Sequence, residues 1–172
     1  EADFEIASFL LLEGARRADQ LGDGCSPWTD ESLTVRGYRS KVDGSVQPYG
    51  LVIPKTCDLT EDRTHRLDIW HHGRSLKSLE LHFLHDRLTN AGRFTPEDAF
   101  VLHMFGRYSN AMKYAGETDT FEALDYVKAR YPIDEDRISV RGFSMGGAAT
   151  WHQAAHQPDI WVAATPGAGF AE

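Results

Sequence analysis

Cysteine is almost missing: Cys25 and Cys57 are the only two in 172 residues. They allow at most one disulfide, and two unpaired buried thiols is an equal reading. Neither lies in a Cys-x-x-Cys motif or beside a promising base, so no catalytic role is assigned to them. Basic charge is also scarce. Lys and Arg number 18 against 26 Asp and Glu, a formal net charge of −8. The acids are spread along the chain and no basic stripe forms, which argues against a nucleic-acid or anionic-membrane partner. No apolar run approaches membrane-spanning length, and no secretory signal pattern opens the chain. Internal repeats and low-complexity segments are absent. The first residue is Glu rather than Met, so compartment and anything upstream stay open. What is present is ordinary for a globular domain with its own core: 41% hydrophobic and 26% charged residues.

The local patterns alternate. Residues from Asp3 to about Leu21 place Ile6, Phe9 and Leu10 at helical spacing, with Gly22 as a stop. Residues 22–30 form a connector, which divides the chain into an N-terminal helix with connector (1–30) and a main unit (31–172). Thr34–Ser40 and Gln47–Ile53 flank an Asp43-Gly44 turn and read as a β-hairpin. Strands follow at Leu67–His71, Ala99–Phe105, Arg137–Arg141 and Ile160–Thr165. Between them lie helices at Leu76–Ala91, Asp119–Arg130 and Ala148–His156, with Asp119 and Glu122 matching a capping box. A hairpin followed by repeated strand–helix units predicts an α/β fold. Its sheet is mostly parallel with an N-terminal antiparallel hairpin, and helices cover both faces.

The most informative segment is Gly142-Phe143-Ser144-Met145-Gly146, followed by Gly147. A short β-branched strand precedes it and a small-residue helix follows. Strand, tight turn and helix make a nucleophile elbow, in which a strained serine exposes its hydroxyl at a helix N-terminus. Ser144 is the candidate nucleophile. In a parallel sheet the ligand crevice lies at the carboxyl ends of the strands, where two further loops emerge. His72-Gly73-Arg74 is a candidate oxyanion loop, since acyl transfer takes one amide donor from the residue after the nucleophile and one from an earlier loop. The assigned donors are the backbone amides of Met145 and Arg74. The loop from Gly106 to Thr118 is polar and aromatic; Arg107, Tyr108 and Asn110 are candidates for binding substrate or ordering the crevice, against the alternative of a solvated loop packed on itself.

Eight histidines raise the question of metal. His82 and His85 lie one helical turn apart, as do His152 and His156. No His-Glu-x-x-His arrangement accompanies them and no third ligand is evident in the sequence. The expectation is therefore no metal and no cofactor, with His152 and His156 packing or facing water.

These segments resemble an α/β-hydrolase of the prolyl oligopeptidase-like and esterase-like group. The matching pieces are Asp43-Gly44-Ser45-Val46-Gln47-Pro48-Tyr49-Gly50, His72-Gly73-Arg74, Tyr131-Pro132-Ile133-Asp134-Glu135-Asp136-Arg137-Ile138, and the segment around Ser144. The resemblance runs from about Val35 onward. It implies an acyl-enzyme on Ser144, an oxyanion hole from Met145 and Arg74, and a small-molecule ester or peptide substrate. It also implies an acid and a histidine that follow the serine in chain order. Here the sequence departs from the pattern: Asp159 and Glu172 are the only carboxylates after Ser144, and His152 and His156 sit on the helix that the serine opens. The expectation is an incomplete α/β-hydrolase fold whose base and acid are missing from these residues. A noncatalytic binding or structural module of the same fold is the alternative, and a base supplied in trans by oligomerisation is a further one.

Overall fold

A computed structural model describes residues 1–28, 32–60, 62–75, 79–107 and 109–171. Helix α1 (Ala2–Gly22) precedes a hairpin of β1 (Leu33–Arg39) and β2 (Val46–Val52). Then come β3 (His65–His71), α2 (Glu80–Thr89), β4 (Ala99–Met104), α3 (Ala115–Lys128), β5 (Ile133–Phe143), α4 (Met145–His156) and β6 (Ala163–Gly167). The six strands form one sheet in the order β1-β2-β4-β3-β5-β6. Strands β4, β3, β5 and β6 are parallel, whereas β2 runs antiparallel to both β1 and β4. This is the architecture expected from the alternating pattern. The hairpin turn is fixed by the Asp43 carboxylate, which accepts from the Ser45 amide at 3.0 Å and its hydroxyl at 2.6 Å. Gly44 takes the left-handed conformation there (φ 73°).

Right-handed crossovers place α2 on one face of the sheet and α3 with α4 on the other. The two faces differ in chemistry because side chains alternate along each strand. Tyr49, Leu51, Leu67, Ile69, Phe100, Leu102 and Ile138 join Ala123, Leu124 and Val127 of α3 and Ala149 of α4 in the main apolar core. Full burial of each large side chain here contributes roughly 1.5–3 kcal/mol. The neighbouring strand positions are more polar. Asp68, wholly buried, is bound by Arg66 at 2.6 Å, by Arg141 at 3.0 Å and by the Ser139 hydroxyl. Trp70 stacks on Phe94, and Arg141 lies 4.0 Å from the Phe94 ring centroid. Helix α2 shields this side without burying any of its own residues completely, and α1 packs outside it through Phe9 against His85 and Asp3 against His82.

Several boundaries differ from the sequence reading. Helix α3 begins at Ala115, so Asp119 and Glu122 lie inside it and are no capping box. Both carboxylates bond residues of the hairpin turn instead, Asp119 through the Ser40 hydroxyl and Glu122 through the Lys41 amide at 3.0 Å. Helix α2 starts at Glu80 after an extended Leu79 and ends at Thr89; residues 76–78 of the expected helix lie outside the described residues. Strand β6 starts at Ala163, because residues 158–160 turn and the Trp161 indole donates to the Gln153 carbonyl at 3.2 Å. Both cysteines are free, Cys25 exposed and Cys57 half-buried.

Candidate active site

The parallel strands end on one side of the molecule, and Ser144 sits at the end of β5. It is the N-cap of α4, with φ 56° and ψ −116°. That conformation is strained for a residue with a β-carbon, at a cost of about 1–3 kcal/mol. A serine at an N-cap ordinarily spends its hydroxyl on a first-turn amide. Ser144 makes no such side-chain bond, and it is exposed. Its backbone is held instead, by its amide donating to the Gly167 carbonyl at 2.9 Å and by its carbonyl accepting from Ala148 at 3.0 Å. The hydroxyl is thus displayed on a fixed backbone and has no partner among the described residues.

Glycine makes this turn possible through close approach. A β-carbon on Gly142 would lie 2.4 Å from the Gly146 carbonyl oxygen, and one on Gly146 would lie 2.0 Å from the His71 carbonyl oxygen. Strand β3, strand β5 and the first turn of α4 therefore meet backbone to backbone, and the serine stands where they meet.

The loop after β3 leans on this turn. A β-carbon built on Gly73 would sit 3.3 Å from the Phe143 carbonyl oxygen and 3.9 Å from the Ser144 β-carbon. Arg74, the next residue, is exposed. His72 braces the loop: Nδ1 faces the Gly73 carbonyl at 2.9 Å and Nε2 faces the Phe105 carbonyl at 3.0 Å. Behind it His71 is fully buried. Its Nε2 lies 2.9 Å from Gln153 Oε1, and Gln153 Nε2 donates to the Thr120 hydroxyl at 3.1 Å. Burial pushes the His71 imidazole down to about 4, with the Gln153 hydrogen bond opposing and His72 adding to the shift. The neutral ring thus links β3 to α4 and α3. Neither His71 nor Gln153 was singled out from the sequence, because a single buried histidine and a helix glutamine carry no motif.

The described residues of the loop after β4 turn back on themselves. Arg107, Ala111, Met112 and Tyr114 all have positive φ. The Arg107 guanidinium is committed to a bidentate pair with Asp119 (2.6 and 3.1 Å) and to Asp43 (2.5 Å) and the Ser40 hydroxyl (2.8 Å). Asn110 closes its own turn, accepting from the Met112 amide at 3.0 Å and donating to the Lys113 carbonyl at 3.4 Å. These partners tie Arg107 to the hairpin turn and α3, and Asn110 to its own loop. Tyr108 lies outside the described residues. The buried Met112 fills the space over Gly106 and anchors the loop to the core.

No histidine among the described residues hydrogen-bonds Ser144. His71 and His72 are engaged as above, His65 is buried against Phe100, and His103 is buried near Gly92. His152 and His156 pair with Glu117 of α3, at 2.9 and 3.3 Å. The sequence offered no third donor beside that histidine pair; the fold supplies one from another helix.

Residues 105–172 match the prolyl oligopeptidase family. No curated protein matches the sequence. Among solved structures, a thermostable esterase is 23% identical with a TM-score of 0.62, over 82% of this chain and 42% of that one. The fluorophosphonate-binding serine hydrolase F of Staphylococcus aureus, solved with substrate bound, is 18% identical with a TM-score of 0.58, over 80% and 56%. The S-formylglutathione hydrolase of the same organism, as apoenzyme, is 21% identical with a TM-score of 0.54, over 80% and 57%. The chain thus spans about half the length of the solved structures it matches. It has the α/β-hydrolase fold, and its part from residue 105 onward carries the likeness to the prolyl oligopeptidase family.

Proposed function

We propose that this chain carries the nucleophile and oxyanion-binding part of a serine hydrolase acting on a carboxylic ester. The observation that carries the proposal is Ser144: exposed, strained at φ 56°, at the head of α4, and free of the capping bond that its position invites. In the reaction the Ser144 Oγ attacks the substrate carbonyl carbon and its proton passes to a base. The tetrahedral oxyanion is held by the Met145 amide at the start of α4 and the Arg74 amide beyond Gly73. Collapse expels the alcohol and leaves an acyl-enzyme, which water attacks to release the acid and restore the hydroxyl. The closeness of Gly73 to Phe143 and Ser144 supports the oxyanion assignment. Arg107 and Asn110 take supporting roles, holding the loop that borders the site. The similarity to esterases favours an ester over a peptide bond.

No described histidine hydrogen-bonds Ser144, and the proposal therefore requires a base and an acid that the described residues do not show beside it. A serine hydroxyl without a base is a weak nucleophile. Labelling with a fluorophosphonate probe tests the proposal, comparing residues 1–172, the protein expressed to the end of its reading frame, and its Ser144→Ala variant. The expected result is strong labelling of the complete protein, none in Ser144→Ala, and little or none for residues 1–172 alone. A folded complete protein that stays unlabelled refutes the hydrolase reading and favours a noncatalytic binding module on the same fold.

A further inference from the structure

Helices α3 and α4 bring three metal-competent side chains to one point on the surface. His152 and His156 are one turn apart on α4, with ring centroids 3.9 Å from each other. Glu117, in the first turn of α3, sets one carboxylate oxygen 2.9 Å from His152 Nε2 and the other 3.3 Å from His156 Nδ1. One donor atom from each residue lies within 4.8 Å of the others. We propose that Glu117, His152 and His156 form a zinc-class divalent metal site that clamps α3 to α4.

The donor set, two imidazoles and a carboxylate, suits Zn²⁺ and is poorly matched to Ca²⁺ or Mg²⁺, which take oxygen ligands. Zinc–ligand bonds of about 2.0–2.2 Å in a tetrahedron put donors roughly 3.3 Å apart. The existing spacing needs only side-chain rotation to reach that, with the carboxylate swinging off the line between the rings and water taking the fourth position. The backbone frame is already set. Gln153, next to His152, donates to Thr120 of α3, and Phe121 of α3 stacks on Trp161 at a centroid distance of 6.0 Å. An open cavity of about 680 Å³ beside the cluster is lined by Glu117, Glu122, Asp125 and His156, with Lys41 the one cation among its lining residues. Its carboxylates favour approach of a cation. Since α4 starts at Ser144, a clamp on the far half of that helix fixes the direction in which the serine is presented.

The test is calorimetric titration of the full chain, stripped with chelator, using Zn²⁺, Co²⁺ and Mg²⁺ separately. The expected result is one equivalent of Zn²⁺ per chain and visible d–d absorption with Co²⁺. Mg²⁺ produces no heat, and Zn²⁺ raises Tm. His156→Ala removes an exposed ligand and should retain the native far-UV circular dichroism. It should lose affinity by at least about the 10–100-fold that loss of an outer-shell partner costs a metal site. The Zn²⁺-dependent rise in Tm goes with it. His82→Ala, a second surface histidine paired with Asp3, leaves binding unchanged. Absence of stoichiometric Zn²⁺ binding, or binding unaffected by His156→Ala, overturns the site and leaves Glu117 as a metal-free hydrogen-bonding staple between the helices.

Discussion

Gly146→Ala sets two effects of opposite sign against each other. Helix propensity alone favours alanine over glycine by about 0.8–1.0 kcal/mol. At this position the new β-carbon would stand 2.0 Å from the His71 carbonyl oxygen, 2.6 Å from its carbonyl carbon and 2.9 Å from the His72 carbonyl oxygen. All three atoms are backbone, so no side chain can turn aside. Restoring ordinary contact means moving the start of α4 away from β3 by roughly 1 Å, and overpacking of this kind costs about 1–3 kcal/mol or more. Taking the upper figure, since the obstacle is a main chain, the net loss is about 2 kcal/mol after the propensity gain. With a urea m-value near 2 kcal/mol/M, the midpoint falls by about 1 M. Gly14→Ala is the matched control. It lies within α1, and its β-carbon would meet nothing within 4 Å. That substitution stabilises by a few tenths to about 1 kcal/mol. Urea denaturation of both variants by circular dichroism decides the matter. A Gly146→Ala midpoint at or above that of the parent would refute the claim that backbone contact between β3 and α4 holds the serine in place.

Arg107→Met strips the partner from the Asp119 carboxylate, which is only 1% exposed. The expected loss is about 2–3 kcal/mol in urea, discounted from the fully buried case because the guanidinium is partly exposed; an unchanged midpoint with weakened substrate binding would instead return Arg107 to direct contact. Ser144→Gly should be about 1 kcal/mol or more stable than Ser144→Ala, because only glycine accepts φ 56° without strain. Equal stability of the two would remove the strain. Burial holds His71 at about 4 and His103 at about 3, against 6.5 for a free imidazole. With the folded values depressed, the unfolded chain takes up the protons first. This contribution to stability is complete above about pH 6.5 and is lost as pH falls toward 4, on the order of 3 kcal/mol per group. Urea midpoints at pH 7 and 5 should differ less in His103→Phe than in the parent, and an identical difference would discard the account for that residue.

The order of strands and helices was legible because each core strand carries a dense apolar run and each helix an amphipathic spacing. Ser144 was legible because its glycines and flanking elements form a contiguous pattern. Contacts made across elements were not. Asp119 and Glu122 matched a capping spacing, yet their partners are Arg107 with Ser40 and Lys41, brought near by the hairpin turn. The ion pairs of Arg107 were equally hidden, since its two carboxylates lie 64 and 12 residues away in the chain. For the same reason Glu117 was not visible as a companion of His152 and His156, being on another helix 35 residues from the nearer one. Periodicity reports which way a side chain faces along its own element. It does not report what another element sets opposite.

The sheet described above is unequal at its two ends. Along β1, the outer strand at one end, Arg36 and Arg39 interrupt the run, and Arg17 of α1 donates to the Val35 carbonyl at 3.3 Å. At the other end β6 pairs with β5 alone, and its Ala163, Ala164 and Thr165 are exposed beside Val162, itself 63% exposed. A charged, helix-braced margin resists templating by a foreign strand, whereas a flat margin of small residues with unspent amides and carbonyls invites it. Of the two margins, β6 is therefore the one more open to strand addition. Lysine at Ala164 would act as a gatekeeper there.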